Sequence, residues 1–271
     1  MVVVPSGPPG GEALMARADG VRAGAASEVG RVRSSNEDSL LVGAALFAVA
    51  DGMGGHAAGE VASAMAVEHL RELDRRAELR PDDIRETLAE ANRAIRAAGL
   101  EHPEQAGMGA TATGLGLVRF AGSPHWVVFN IGDSRVYRYA GGVLTLLTVD
   151  HSEAAEMVAA GALTEEQARY SRFRNVITRA LGVHPSIEPD QWVFPPVAGE
   201  RFVLCSDGLT GELEDDEIAA VLRDVTDPEC AAGELVRRAV DAGGRDNVTV
   251  VVVDYGPGDD APADTVPRTA P

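Results

Sequence analysis

Four aspartates sit beside glycine where an apolar run gives way to a turn: Asp51 before Gly52, Asp133 after Gly132, Asp207 before Gly208, and Asp246 after Gly243-Gly244-Arg245. Singly, each reads as an ordinary turn residue whose carboxylate bonds the nearby backbone. The repetition points to shared chemistry. Glycine lets a carboxylate and a neighbouring carbonyl approach one ion, and carboxylate, carbonyl and water are the ligands of hard divalent cations. Acids that converge in this way need a cation, because two like charges ~4 Å apart repel by ~4 kcal/mol at an effective dielectric of about 20. The histidines at 56, 69, 102, 125, 151 and 184 lack the paired spacing of a zinc-binding helix, which favours magnesium or manganese. Gly132-Asp133-Ser134-Arg135 lacks the flanking glycines of a serine nucleophile elbow.

The first aspartate closes the apolar run Phe47 to Ala50 and enters a glycine-dense turn, Gly52-Met53-Gly54-Gly55-His56-Ala57, that hands over to a helical pattern. Gly52-x-Gly54-x-x-Ala57 between strand and helix also fits a dinucleotide-binding turn. That alternative requires an acid ending a second strand ~20 residues on. Glu68 and Glu72 fall near that distance but inside a helical pattern, which weighs against an oxidoreductase.

The elements that must position these acids are legible as texture. Ala62, Met65, Ala66, His69, Leu70 and Leu73 share one helical face, as do Ile84, Leu88, Ala91, Ile95 and Ala98. Strand-like runs follow at Thr111 to Val118, His125 to Ile131, Ser134 to Tyr139 and Val143 to Thr148, with Gly141-Gly142 at hairpin spacing. A helix-favouring stretch covers Ser152 to Tyr170. Next come a strand at Phe202 to Cys205, helices at about Asp215 to Arg223 and Pro228 to Ala242, and a last strand at Val248 to Val253. Trp126 to Phe129 and Val248 to Val253 are apolar at successive positions, so both of their faces must be covered. Short connections imply antiparallel pairing. The expected architecture is α+β, two stacked antiparallel sheets with helices outside.

At 271 residues and 45% apolar content, the chain can bury a sizeable core. Its 42 acidic residues against 24 basic give a net charge of −18, which disfavours nucleic acid and anionic lipid as partners and attracts cations. Every basic residue is arginine, so P-loop and Schiff-base chemistry lack their lysine. Two cysteines, Cys205 and Cys230, make neither a disulfide framework nor a thiolate metal site. The opening Met1-Val2-Val3-Val4 is broken at Pro5, too short for a signal segment, and no apolar run approaches the ~20 residues of a membrane helix. A soluble, cytoplasmic protein is expected. Residues 1–20 and 256–271 read as flexible tails around one domain at 21–255.

Eight motifs occur in an order that resembles the metal-dependent serine/threonine protein phosphatases, the PPM or type 2C family, and its bacterial branch most closely. They are Gly30-x-Val32-Arg33-x-x-Asn36-Glu37-Asp38, Asp51-Gly52-Met53-Gly54-Gly55-His56, Gly109-Ala110-Thr111, Asn130-Ile131-Gly132-Asp133-Ser134-Arg135, Asp150-His151-Ser152, Thr178-Arg179-Ala180-Leu181-Gly182, Ser206-Asp207-Gly208-Leu209 and Gly243-Gly244-x-Asp246-Asn247. The resemblance covers about residues 21 to 255. It implies a four-layer αββα sandwich, two antiparallel sheets flanked by helix pairs. It also implies hydrolysis of phosphoserine and phosphothreonine by direct attack of water activated by two Mn²⁺ or Mg²⁺ ions.

By the same resemblance Asp51 bridges both ions, the Gly52 carbonyl binds one, and Asp207 and Asp246 hold the other. Asp133, with Asp207, matches the position that recruits a third ion. Asp38 matches a residue that positions the water, with Glu37 close by, and Arg33 matches the phosphate clamp. Phosphorylated proteins, serine/threonine kinases among them, are the implied partners of a monomer. Eukaryotic members carry a histidine after the Asp-Gly pair as an acid for the leaving group; Met53 stands there, which leaves the proton donor open, with His56 a candidate only if it turns inward. Residues from about Ser152 to Asn175 correspond to the family's variable flap. A non-catalytic phosphoprotein-binding relative is the rival reading, but it would normally have lost metal-site aspartates that are all present here.

Overall fold

Strands that are apolar at successive positions need a covering layer on each face, and the computed structural model, which describes residues 20–54 and 58–256, supplies both. The expected tails lie outside the described residues except for Gly20 and Gly256, and His56 lies outside them too. In chain order the elements are β1 (Val21–Glu28), β2 (Asp38–Val42), β3 (Leu46–Met53), α1 (Ala58–Asp74), α2 (Pro81–Glu101), β4 (Gly109–Ala110), β5 (Ala112–Phe120), β6 (Ser123–Ile131), β7 (Arg135–Ala140), β8 (Val143–Leu146), α3 (Glu153–Ala159), α4 (Glu165–Arg169), β9 (Asp190–Phe194), β10 (Glu200–Cys205), α5 (Asp207–Thr210), α6 (Asp215–Asp224), α7 (Pro228–Ala242) and β11 (Val248–Tyr255). One sheet runs β1-β11-β10-β7-β8 and the other β2-β3-β5-β6-β9, with β4 on β3. Their pairings are antiparallel.

Three apolar clusters make this a four-layer α+β sandwich. Along β3, Phe47 and Val49 face inward and meet Trp126, Phe202, Leu204 and Val251 between the sheets. The alternate residues Leu46, Ala48 and Ala50 face outward onto α1 and α2 through Ala62, Ala66, Leu70, Ile84 and Leu88. In the other sheet Val203, Cys205, Val250 and Val252 meet Ile218, Val221, Leu235 and Val236 of α6 and α7. The period of two along a strand thus feeds two cores at once. Helix starts are set locally: the Asp227 carboxylate accepts the Cys230 N–H at 2.9 Å with Pro228 opening α7, and Asp83 accepts the Arg80 N–H at 2.8 Å at the start of α2.

The structure departs from the sequence expectation at five places. β1 was not expected, because its Ala- and Gly-rich run lacks strand formers; it is held by an eight-pair register against β11, Val21↔Tyr255 to Glu28↔Val248. β9 likewise lies outside the expected strands, and it closes the edge of the second sheet on β6. The strand ending at Ala50 continues through Asp51, Gly52 and Met53, which pair with the short β4 (Gly52↔Ala110, Met53↔Gly109). The helix-favouring stretch after Ser152 splits into α3 and α4. Finally, Asp207-Gly208 begins the one-turn helix α5 where a simple turn was expected.

Trp126 ties the layers together, fully buried with ring centroids 5.4 Å from Phe202 and 5.5 Å from Tyr255. Its indole N–H has no acceptor among the described residues. Trp126→Ala is expected to destabilise the fold by roughly 3–5 kcal/mol. Trp126→Phe keeps the aromatic contacts and deletes the unsatisfied N–H, so it should cost well under half as much in urea denaturation. Equal losses would show that the aromatic contacts are not what joins the sheets.

Candidate active site

The acids meet where the same ends of the two sheets come together. Antiparallel pairing of β2 with β3 sets Asp38 directly opposite Asp51. In the other sheet β10 ends at Cys205, Ser206 follows, and Asp207 opens α5, while Asp246 stands just ahead of β11. Asp133 occupies the turn that carries the chain from β6 to β7, crossing from one sheet to the other, and is buried.

Neutral polar side chains hold this junction. Ser206 Oγ donates to Asp38 Oδ2 at 2.8 Å and accepts the Thr249 N–H at 3.0 Å. Thr111 Oγ1 accepts the Asp51 N–H at 2.8 Å and lies 2.8 Å from Ser134 Oγ, while the Thr111 N–H donates to Asp51 O at 2.9 Å. Asn247 Oδ1 accepts the Glu37 N–H at 2.8 Å, and its Nδ2 donates to Val29 O and Ser35 O, fixing the loop that carries Arg33. The Asn247 N–H donates to Asp246 Oδ1 at 2.9 Å. His151, buried, accepts the Gly132 N–H at Nδ1. These residues stand inside the sequence motifs, but their types alone gave no role; the signal that could have found them is a hydrogen-bonding side chain next to a glycine–acid pair.

Gly52 is required by close approach: a Cβ there would stand 2.1 Å from Gly59 O and 2.6 Å from Glu37 O, so any larger residue would push α1 away from Asp51. Arg33 Nη2 donates to Asp246 Oδ2 at 2.8 Å from a half-exposed side chain. That bond raises the Arg33 value first, with Glu37 and Asp51 adding to it. Glu37 is raised by burial, which the Arg33 charge opposes.

Burial and mutual repulsion push Asp38, Asp51, Asp133 and Asp207 upward. Asp38 rises to about 7, by burial and then by Asp207 and Asp246, against the hydrogen bonds from Thr249 and Ser206. Asp51 is pushed well above the carboxylate range by burial and by Asp38, Asp207, Asp133 and Asp246. Asp133 rises to about 7 by burial, Asp207 and Asp150, and Asp207 to about 6 by burial and Asp246. Arg135, bidentate to Asp150 at 2.9 and 2.7 Å, lowers Asp133 and Asp207 without cancelling the effect. The structure therefore brings Asp38, Asp51, Asp133, Asp207 and Asp246 into one electrostatic unit, with Gly52, Glu37 and Arg33 at its margin. Met53 is half-buried in β3 and offers no proton donor.

This donor set fits a hard divalent cation. Asp38 Oδ1 is buried without a hydrogen-bond partner among the described residues, and the surrounding carboxylates are destabilised in their charged form, as expected where a positive charge belongs. Among the described residues no three His, Cys, Asp or Glu side chains form a ready ligand cluster. Magnesium-like ions do not need one, since they keep several waters and take only one or two carboxylates each.

A family profile described as Protein phosphatase 2C matches residues 31–238. The chain is 41% identical over 243 residues to the serine/threonine protein phosphatase PstP of Mycobacterium tuberculosis, covering 86% of this chain and 45% of that protein. The chain thus spans less than half the length of that relative. It is 35% identical over 236 residues to the serine/threonine phosphatase stp of Listeria monocytogenes, covering 83% of this chain and 92% of that one. The solved catalytic domain of PstP in complex with two manganese ions superposes with a TM-score of 0.78 at 39% identity, over 87% of this chain and 98% of that one.

Carboxylates raised from an ordinary 3.8 to about 6 or 7 keep, in the folded state, protons that the unfolded chain releases. In chelator, stability should therefore fall as pH rises through that window. Asp190, Asp227 and Glu234, pulled downward, act in the opposite sense only below the ordinary carboxylate range. At pH 7.5 in chelator, Asp51→Asn should melt higher than the wild type, and Mn²⁺ should raise its melting temperature less than it raises the wild type's. A lower melting temperature for the chelated variant would contradict the repulsion.

Proposed function

The chain belongs to the protein phosphatase 2C family, and on that premise we propose that it hydrolyses phosphoserine and phosphothreonine in proteins by direct attack of a water activated between two divalent cations. The observation that carries this reading is the cluster of Asp38, Asp51, Asp133 and Asp207, each raised by burial, with Asp246 at its edge and an Asp38 oxygen that has no hydrogen-bond partner among the described residues. The manganese-bound relative supports Mn²⁺ as cofactor, with Mg²⁺ sharing the same ligand chemistry. Residues 21–255 are taken as the catalytic unit.

In this proposal Asp51 would serve both cations, the Gly52 carbonyl would contribute to one, and Asp207 and Asp246 would hold the other. Asp133 with Asp207 would hold a third. When bound, divalent cations polarise phosphoryl oxygens and lower the pKa of water from ~15.7 towards neutrality. Asp38, steadied by Ser206, orients the attacking water through its second oxygen, and Glu37 adds to the polar wall beside it. Arg33 brings a planar fork of N–H donors: one Nη2 bond goes to Asp246, and the fork's geometry suits phosphoryl oxygens as they gain charge.

Direct attack agrees with the thiols. Burial pushes Cys205 up to about 12, and the Asp227 carboxylate raises Cys230, so neither supplies a thiolate nucleophile near neutral pH. Phosphorylated serine/threonine kinases are the substrates this reading favours, for a monomer in the cytoplasm. Among the described residues no helix is long and apolar enough to cross a membrane.

The expected outcome is Mn²⁺- or Mg²⁺-dependent hydrolysis of an aryl phosphate and of phosphothreonine peptides, abolished by chelator. Asp51→Asn and Asp207→Asn should each lower kcat/KM by more than the ~100-fold that even a supporting residue around a metal can cost. Arg33→Ala should lower it by roughly 100-fold, the range for removing one donor to a charged transition state, with Arg33→Lys recovering only part. Wild-type turnover in either aspartate variant would overturn the assignment. Phosphopeptide binding without turnover by the wild type would instead establish a binding protein.

A further inference from the structure

Asp133 poses a mechanical problem. Its carboxylate is buried beside other acids, yet it sits in a turn whose preceding residue, Gly132, has a φ of +106° and no side chain to anchor it. A left-handed glycine is free to move unless its backbone groups are held. Both polar groups of Gly132 are held, and residue 151 takes part in each bond: the Gly132 N–H donates to His151 Nδ1 at 3.0 Å, and the His151 N–H donates to Gly132 O at 2.9 Å. Asn130 Nδ2 adds a bond to Gly132 O at 3.0 Å.

The ring is itself oriented from behind. Because Nδ1 accepts, the proton of the neutral imidazole sits on Nε2. Nε2 lies 3.3 Å from Asp190 Oδ2, which faces the ring from behind. Asp190 is fixed by Arg179 Nη1, 2.6 Å from Oδ1. Two motifs that the proposed reaction leaves without a task, Asp150-His151-Ser152 and Thr178-Arg179-Ala180, therefore meet at one ring. A carboxylate behind a histidine that in turn fixes a ligand-bearing turn is the arrangement by which outer residues set metal affinity.

We propose that His151 is a positioning residue, whose Nδ1, backed by Asp190 and Arg179, clamps the Gly132 turn that carries Asp133 and so sets the affinity of the third-cation position. The proposal rests on the reading of Asp133 as a cation ligand. It predicts that the acceptor atom matters and the imidazole as such does not. Asparagine carries its Oδ1 close to where Nδ1 stands, whereas alanine leaves a buried N–H without an acceptor.

The test is an Mn²⁺ binding isotherm on the full chain, read by the signal of free Mn²⁺, together with amide exchange of peptides spanning residues 131–134. Asp133→Asn should remove the weakest class of site. His151→Ala should weaken that class by about 10-fold or more, within the ~10–100-fold range of outer-residue effects, leave the tight sites unchanged within about 2-fold, and speed exchange at the turn. His151→Asn should restore most of both. If Asp133→Asn removes the weak class and His151→Ala leaves it intact, the positioning role is overturned while the cation reading stands. If Asp133→Asn removes no class, the cation reading falls and the proposal with it. A folded His151→Asn that behaves like His151→Ala would show that the ring's bulk, and not its acceptor, is what counts, and would also overturn it.

Discussion

The structure turns on the repulsion among five aspartates gathered where two sheets end. An isolated buried carboxylate is costly to charge, and each neighbour of like sign makes it costlier. Such a group cannot be placed by its own preference, because everything local favours its protonation or its escape into water. It must be placed by a scaffold whose stability comes from elsewhere. The three apolar layers supply this: β3, β10 and β11 are buried on both faces, so their ends are fixed by packing that the acids do not share.

That division of labour explains why the site lies at strand ends. Within β2 and β3 the register sets Asp38 opposite Asp51, an arrangement of like charges that is unfavourable in a sheet. The apolar residues behind them leave the register no alternative, since a shift by one would turn Phe47 and Val49 away from the inter-sheet core. Where the strands stop, backbone carbonyls and carboxylates can point into one space without breaking a ladder. Gly52 completes the geometry by letting α1 close against the strand end, within 2.1 Å of where a Cβ would stand.

The same division sets what the sequence reveals. Elements built on apolar period, such as α1, α2, α7 and the runs of β3, β6 and β11, are legible because burial dictates residue type at every position. β1 is not, since Val21 to Glu28 is strand only by pairing with β11, 220 or more residues away. The acids are legible because carboxylate beside glycine is a distinctive choice. Their supports are not: Ser206 reaches Asp38 across a separation of 168 residues and Asn247 reaches Glu37 across 210, and nothing local to a serine or an asparagine announces such a partner. The continuation of β3 through Met53 was hidden for a related reason. Glycine density signals a turn, and the bonds that keep this segment extended come from Gly109, Ala110 and Thr111.

The chemistry of those supports is itself informative. A buried acid can be steadied by a cation or by a neutral donor, and the two choices have opposite consequences. An arginine or lysine against Asp38 or Asp51 would pull its pKa down and fill the space with a fixed positive charge. Here Asp38 is steadied by the hydroxyl of Ser206, Asp51 through its backbone by the hydroxyl of Thr111, and the Asp133 turn by an uncharged imidazole, which burial and then Arg179 keep below its ordinary value. Arginine enters at the margin, Arg33 on Asp246 and Arg135 on Asp150. Neutral partners fix the direction of a carboxylate while leaving its charge uncompensated, and Asp38 Oδ1 has no hydrogen-bond partner among the described residues. A centre built in this way is positioned by the protein but neutralised only by something mobile and positive, which is the condition a divalent cation meets.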